Sequence, residues 1–192
     1  MSDPVRELKV RAELLHHAVQ ASEAAALERL RALPEFKKAD AEGLRAAASD
    51  IQRKHCLAVV ARELGFASFD HARRVFEGDA AEPDFGTLLY DTARGHLNQW
   101  FALYDEARVH HAAASTKESR RYLLAYKRHF FLVDRFFIES LGLGPDDADW
   151  ETIGWDWARP KSPEARRRLY GKFLTARRAP VADFIKDEAI EA

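Results

Sequence analysis

Only one cysteine, Cys56, occurs among the 192 residues, so no intramolecular disulfide can form. Long apolar runs are missing as well. No stretch approaches the roughly 18 uninterrupted apolar residues of a membrane span, and the opening "MSDPVRELKV" has no apolar core like that of a signal peptide. Nor does one sign of charge dominate: 30 Lys and Arg stand against 31 Asp and Glu, a formal net charge of −1, so no global field draws the chain to nucleic acid or anionic lipid. These absences predict a cytoplasmic protein with no membrane partner. They also make Cys56, set in "HCLAVVA", a buried small hydrophobe rather than a nucleophile.

Catalytic signatures are equally sparse. "GLGPDD" lacks the Lys and Ser/Thr of a phosphate-cradling loop, no Gly-x-Ser-x-Gly elbow occurs, and neither His-Glu-x-x-His nor paired cysteines are present. No cofactor and no metal are therefore expected.

What the chain does contain is 47% hydrophobic residues, 11% of the total being aromatic, with only nine Gly and seven Pro. That composition, with apolar residues at helical spacing, predicts an all-α fold: a multi-helix bundle with a small N-terminal helical module. Leu8, Ala12, Leu15 and Val19 line one face of a first helix, and Ser22 is placed to cap a second carrying Ala26, Leu27 and Leu30. Ser49 with Gln52 reads as a capping box before "IQRKHCLAVVAREL", which Gly65 ends; Ser68 caps the next helix and Gly78 closes it. The small, acidic stretch "GDAAEPD" (78–84) marks a boundary between a module over 1–78 and a bundle over 85–192. Beyond it two long helices are expected, roughly 85–113 and 116–141, the second apolar around most of its circumference. Ser162 and Pro163 then open a basic final helix, "PEARRRLYGKFLTARR". Six acidic and no basic residues between Glu139 and Asp156 precede eight basic and one acidic between Arg159 and Arg178, and the two segments are expected to pair with each other or with solvent, the alternative being a functional basic surface.

The stretch "ARELGFAS", followed by His71, Arg74 and Phe76, resembles the helix-turn-helix of AraC-type transcription regulators. That resemblance implies a corner at Gly65 packed through Val60, Leu64, Phe66, Ala72 and Phe76, with Phe69, Asp70, Arg73 and Arg74 facing DNA. "LLHHAVQASEAAALERLRALPEF" followed by "HCLAVVARELGFASFDHARRVF" is similar, over about residues 8–77, to a short helical module found ahead of ankyrin-repeat or glyoxalase-like domains in bacterial proteins, with Phe69 where that module carries Trp. It implies an accessory module.

For function, the aromatic residues of the second half are the strongest signal. Trp100, Tyr104, Tyr122 and Tyr126, with His129 and Asp134 as polar groups beside them, are the candidate binding residues for an unidentified small ligand or protein partner, in a non-enzymatic binding module. Two alternatives stand beside that reading. A DNA-binding regulator would use the 50–77 unit, with Arg73, Arg74, Arg166, Arg167 and Arg168 on phosphate or bases. A helical-bundle enzyme would bring His96, His110 or His129 together with Glu106 or Asp134.

Overall fold

The computed structural model describes residues 3–90, 98–116 and 119–177. Asp3 accepts a hydrogen bond from the Arg6 amide (3.2 Å) and Pro4 fills the first turn, opening helix α1 (Pro4–Gln20), whose Leu8, Ala12, Leu15 and Val19 face the core. Helix α2 (Ala24–Arg29) has Glu23 rather than Ser22 at its N-cap position, with no side-chain cap bond, and Ser22 instead takes a left-handed turn at φ +58°. Helix α3 (Ala41–Ala47) follows, capped by Asp40. The expected Ser49–Gln52 box falls one turn later: Gln52 caps α4 (Arg53–Glu63), its amide donating to His55 Nδ1 at 3.0 Å. Ser68 caps α5 (Phe69–Glu77), and Gly78 ends it in the left-handed region at φ +80°. The corner packs as its apolar pattern requires, with Val60, Phe66, Ala72 and Phe76 buried.

The all-α expectation is overturned in the second half, which contains a three-stranded antiparallel sheet: the fold is mixed α/β. In place of a helix over 85–113 lie strand β1 (Gln99–Phe101) and helix α6 (Tyr104–Ala114). In place of a helix over 116–141 lie β2 (Tyr122–Tyr126), β3 (His129–Val133) and α7 (Arg135–Ser140). Strand order is β1-β3-β2, with Trp100 opposite Phe131 and Leu124 opposite Phe131 on its other side.

The physical reason is burial of both sheet faces. Tyr122, Leu124, Phe131 and Val133 pack into the main core; Leu123, Ala125, Phe130 and Leu132 join Phe101, Ala107 and Ala158 in a second one beneath α6. With apolar residues on both faces the period of two vanishes, and an uninterrupted apolar run is indistinguishable from a buried helix. The turn was silent too. Tyr126 pairs with His129, leaving a two-residue loop of Lys127 and Arg128, and Lys127 takes φ +51° where Gly or Asn would have signalled a hairpin.

Helix α8 (Ala148–Thr152) and helix α9 (Pro163–Ala176), the latter opened by Ser162 and Pro163, complete the described chain. Main-core residues run from Val5 to Leu174, and Arg11 Nη2 donates to Leu174 O at 2.6 Å, joining α1 to the end of α9. The acidic and basic segments pair: Asp149 holds Arg168 and Lys172, and Asp147 holds Lys172 at 2.6 Å. At the proposed boundary the chain passes through Gly86, φ +69°, where a Cβ would lie 2.7 Å from Phe66 Cδ1 and 2.9 Å from Gly65 O. Phe85 N donates to Lys127 O and Lys127 N to Gly86 O, so this crossing ties the helical corner to the hairpin tip.

Candidate functional site

A cleft of about 510 Å³ opens where the C-terminus of α5, the hairpin tip and the start of α9 meet. Its walls include Val75, Phe85, Phe130, Ala158 and Pro163, and three arginines line it: Arg128 from the hairpin loop, Arg159 from the loop before α9, and Arg166 from α9 itself. Asp79 and Glu82 lie on the rim segment after α5.

Arg166 is only 3% exposed. Its Nη1 donates to the carbonyls of Trp157 (3.0 Å) and Ala158 (3.4 Å), its Nη2 to Val75 O (3.4 Å), and its Nε has no acceptor among the described residues. Guanidinium stays charged in proteins, and a buried charge without a counter-ion is costly. Val75 O belongs to the last turn of α5, where the helix dipole is negative, so the fold offsets part of that cost with carbonyls and a dipole rather than a carboxylate. Gly78 makes room for this group: a Cβ there would sit 2.7 Å from Arg166 Nη2.

Arg159 is set by a neighbouring polar cluster. Asp156, 3% exposed, accepts from Arg159 N at 2.9 Å and from the Tyr104 hydroxyl at 2.6 Å, and Arg108 Nε lies 3.6 Å away. The Arg159 guanidinium rests on the Tyr104 ring, 3.9 Å from its centre. Burial pushes the Asp156 carboxyl above the usual aspartate range, with Arg159 N, Tyr104 and Arg108 pulling against it. Burial and the bond to Asp156 raise the Tyr104 phenol. His111, lowered by burial, is held neutral: Nδ1 accepts from Arg108 Nη1 (3.0 Å) and Nε2 donates to Arg121 O (2.9 Å). Asp156 is thus a scaffold that fixes both the backbone and the side-chain platform of a cleft arginine.

The residues expected from the sequence to bind a ligand do not gather in one place. Trp100, 40% exposed, stacks on Phe131 (4.6 Å, 20°) and meets Tyr126 edge-on (5.8 Å), with Tyr90 completing that cluster. Tyr126 and Tyr90 also border a shallower hollow of about 350 Å³ beside Arg62 and Thr87. Tyr104 lies across the sheet, over Phe130. Tyr122 is buried against Trp150 and donates to Pro145 O at 2.8 Å. His129 is exposed beside the hairpin loop, and Asp134 caps α7 by accepting from Phe137 N (3.0 Å).

Among the DNA candidates, Arg73 is clamped by Asp70 and Glu77, each at 2.7 Å; Arg74 lies 3.3 Å from Asp70 and 2.9 Å from Glu82. Arg168 pairs with Asp149, Arg166 is buried, and Arg167 is exposed. His110 lies beside Phe101 and Gln99; His96 lies outside the described residues. Among the described residues no group of three His, Cys, Asp or Glu side chains could hold a metal. Cys56 is fully buried, and burial raises its thiol.

Sequence reasoning did not single out Arg128, Asp156, Arg159 or Gly78 as parts of a site. Asp156 and Arg159 stand three apart in "WDWARP", a spacing that carries no signal until the segment is placed beside Leu123, to which it pairs through Leu123 N and Trp157 N (both 2.8 Å). Comparison of the chain with known protein families, with curated proteins and with solved structures finds no match.

Proposed function

We propose that the protein is a cytoplasmic, non-enzymatic binding module for a small organic ligand, seated in the cleft between α5, the hairpin tip and α9. Residues 8–77 serve as the accessory helical module they resemble and supply one cleft wall through Val75, which Gly78 just beyond them extends. The observation that carries this reading is Arg166, a buried guanidinium without a carboxylate partner among the described residues, lining a cleft with apolar walls. A volume of about 510 Å³ suits a small organic molecule, and mostly apolar walls with a few placed polar groups are the usual composition of such sites. Among the described residues no helix is long and apolar enough to cross a membrane.

The test is a fragment screen by ligand-observed NMR, run beside native mass spectrometry, on the parent and on Ala80→Trp. Ala80 is exposed on the cleft rim, so an indole there narrows the opening without disturbing the core. Fragments that bind the parent should lose binding to Ala80→Trp. Undiminished binding to that variant places the ligand elsewhere and removes this reading.

A further inference from the structure

We infer that the ligand of this cleft is an organic monocarboxylate with an apolar body, its carboxylate held by Arg166 and Arg159. The inference rests on the cleft being a ligand site, and deepens it by naming the chemistry recognised.

Three arginines without a carboxylate partner among the described residues converge on the cleft. Arg11, Arg29, Arg31, Arg53, Arg73 and Arg74 each sit within ion-pair distance of a carboxylate. Among the described residues Arg45, Arg62 and Arg121 lack such a partner and lie elsewhere, whereas Arg128, Arg159 and Arg166, which also lack one, come together in one cleft. Arg166 is the decisive one: its hydrogen bonds go to neutral carbonyls, its Nε has no partner among the described residues, and it is buried beyond nine-tenths. A planar guanidinium fork fits a carboxylate, and the bond is strongest where water is excluded.

Two further features select one negative charge and an apolar remainder. Asp79 and Glu82 also line the cleft. Glu82 is engaged by Arg74 at 2.9 Å and Asp79 accepts from Ala81 N at 2.9 Å, but both still repel a second negative charge, which disfavours a phosphate dianion. The Phe85 and Phe130 rings, packed edge-to-face at 6.2 Å, and the prolines of the wall offer an apolar surface for the body of the ligand.

The probes are benzoate and hexanoate, their neutral analogues benzamide and hexanamide, and inorganic phosphate, each titrated by NMR into the parent, Arg166→Met, and the double variant Arg128→Gln/Arg159→Gln. Met preserves much of the buried volume of Arg166. The two glutamines occupy exposed positions, so the double variant keeps the test alive if Arg166→Met does not fold. Loss of a charge-assisted bond should weaken carboxylate binding about 10-fold or more. The expected result is that a carboxylate binds the parent at least about 10-fold more tightly than its amide or than phosphate, and loses that advantage in either variant that folds. Equal binding of acid and amide, or phosphate binding as tightly as the acids, overturns the monocarboxylate assignment while leaving the cleft a ligand site. Carboxylate affinity unchanged in the folded variants overturns it as well. If none of the five probes binds, both the assignment and the reading of the cleft as a small-molecule site fall.

Discussion

Tyr104→Phe tests whether Asp156 is the scaffold of the cleft. The substitution keeps the ring on which Arg159 rests and deletes only the hydroxyl that donates to Asp156 Oδ2 at 2.6 Å. Asp156 is 3% exposed, so the lost donor is not replaced freely by water, and a hydrogen bond to a charged acceptor contributes about 1.5–3 kcal/mol. Tyr104 itself is half-buried, which places the expected loss at the lower end, about 1.5–2 kcal/mol at pH 7. For a chain of this size that is a fall of about 3–8 °C in Tm. The pH dependence gives a second reading. A carboxyl raised in the fold binds more protons folded than unfolded, so its contribution to stability falls as pH rises from the ordinary aspartate value through the raised one, and is most favourable below that window. Removing a donor that favours the charged form raises it further. The penalty of Tyr104→Phe should therefore shrink as the pH is lowered towards about 4, where Asp156 approaches its neutral form. Urea unfolding at pH 7.5 and pH 4.5 measures both. A penalty below about 0.5 kcal/mol at neutral pH, the size of an ordinary surface change, or one that grows in acid, refutes the scaffold role.

Other perturbations probe the fold and the cleft floor. Lys127→Gly should stabilise the protein by about 0.5–1 kcal/mol, because glycine adopts the φ of +51° without the Cβ clash that Lys carries; destabilisation in guanidinium titration would argue against the two-residue hairpin. Gly78→Ala combines a left-handed backbone with a Cβ 2.7 Å from Arg166 Nη2 and should cost at least about 1–2 kcal/mol, with weaker binding of any cleft ligand; a neutral effect would mean that Arg166 is not seated under Gly78. The Cys56 thiol, buried and raised, should resist a colourimetric thiol reagent in native buffer and react within minutes of denaturation; prompt native labelling would contradict its place in the core.

Those parts of the fold governed by local chemistry are legible in the sequence. Ser68 with Gly78, and Ser162 with Pro163, announce two helices because a capping oxygen, a fixed φ and a left-handed stop act within a few residues of one another. The pairing of Asp147 and Asp149 with Arg168 and Lys172 follows from adjacent blocks of opposite charge. The sheet is not legible, because "YLLAYKRHFFLV" is apolar on both faces and turns on Lys and Arg, so neither alternation nor turn residues reveal a hairpin. The aromatic candidates illustrate the same cause: Trp100 and Tyr126 meet, but Tyr104 is carried to the opposite face, a separation that a helical reading of the same residues cannot produce. The cleft depends on long-range closure. Val75 and Arg166 lie 91 positions apart in the chain, and no local pattern connects them.

The contact between α1 and α9 has a consequence for synthesis. Arg11 and Leu174 are 163 positions apart, so at about 5–20 residues per second roughly 10–30 s pass between translation of the first helix and translation of the segment that covers it. Throughout that interval the apolar stripe of Leu8, Ala12 and Leu15 can be only partly sheltered, by the helices that precede α9. The nascent chain should accordingly depend on ribosome-associated chaperones at its amino-terminal end, and stalled or truncated products ending before α9 should be the aggregation-prone species in the cell.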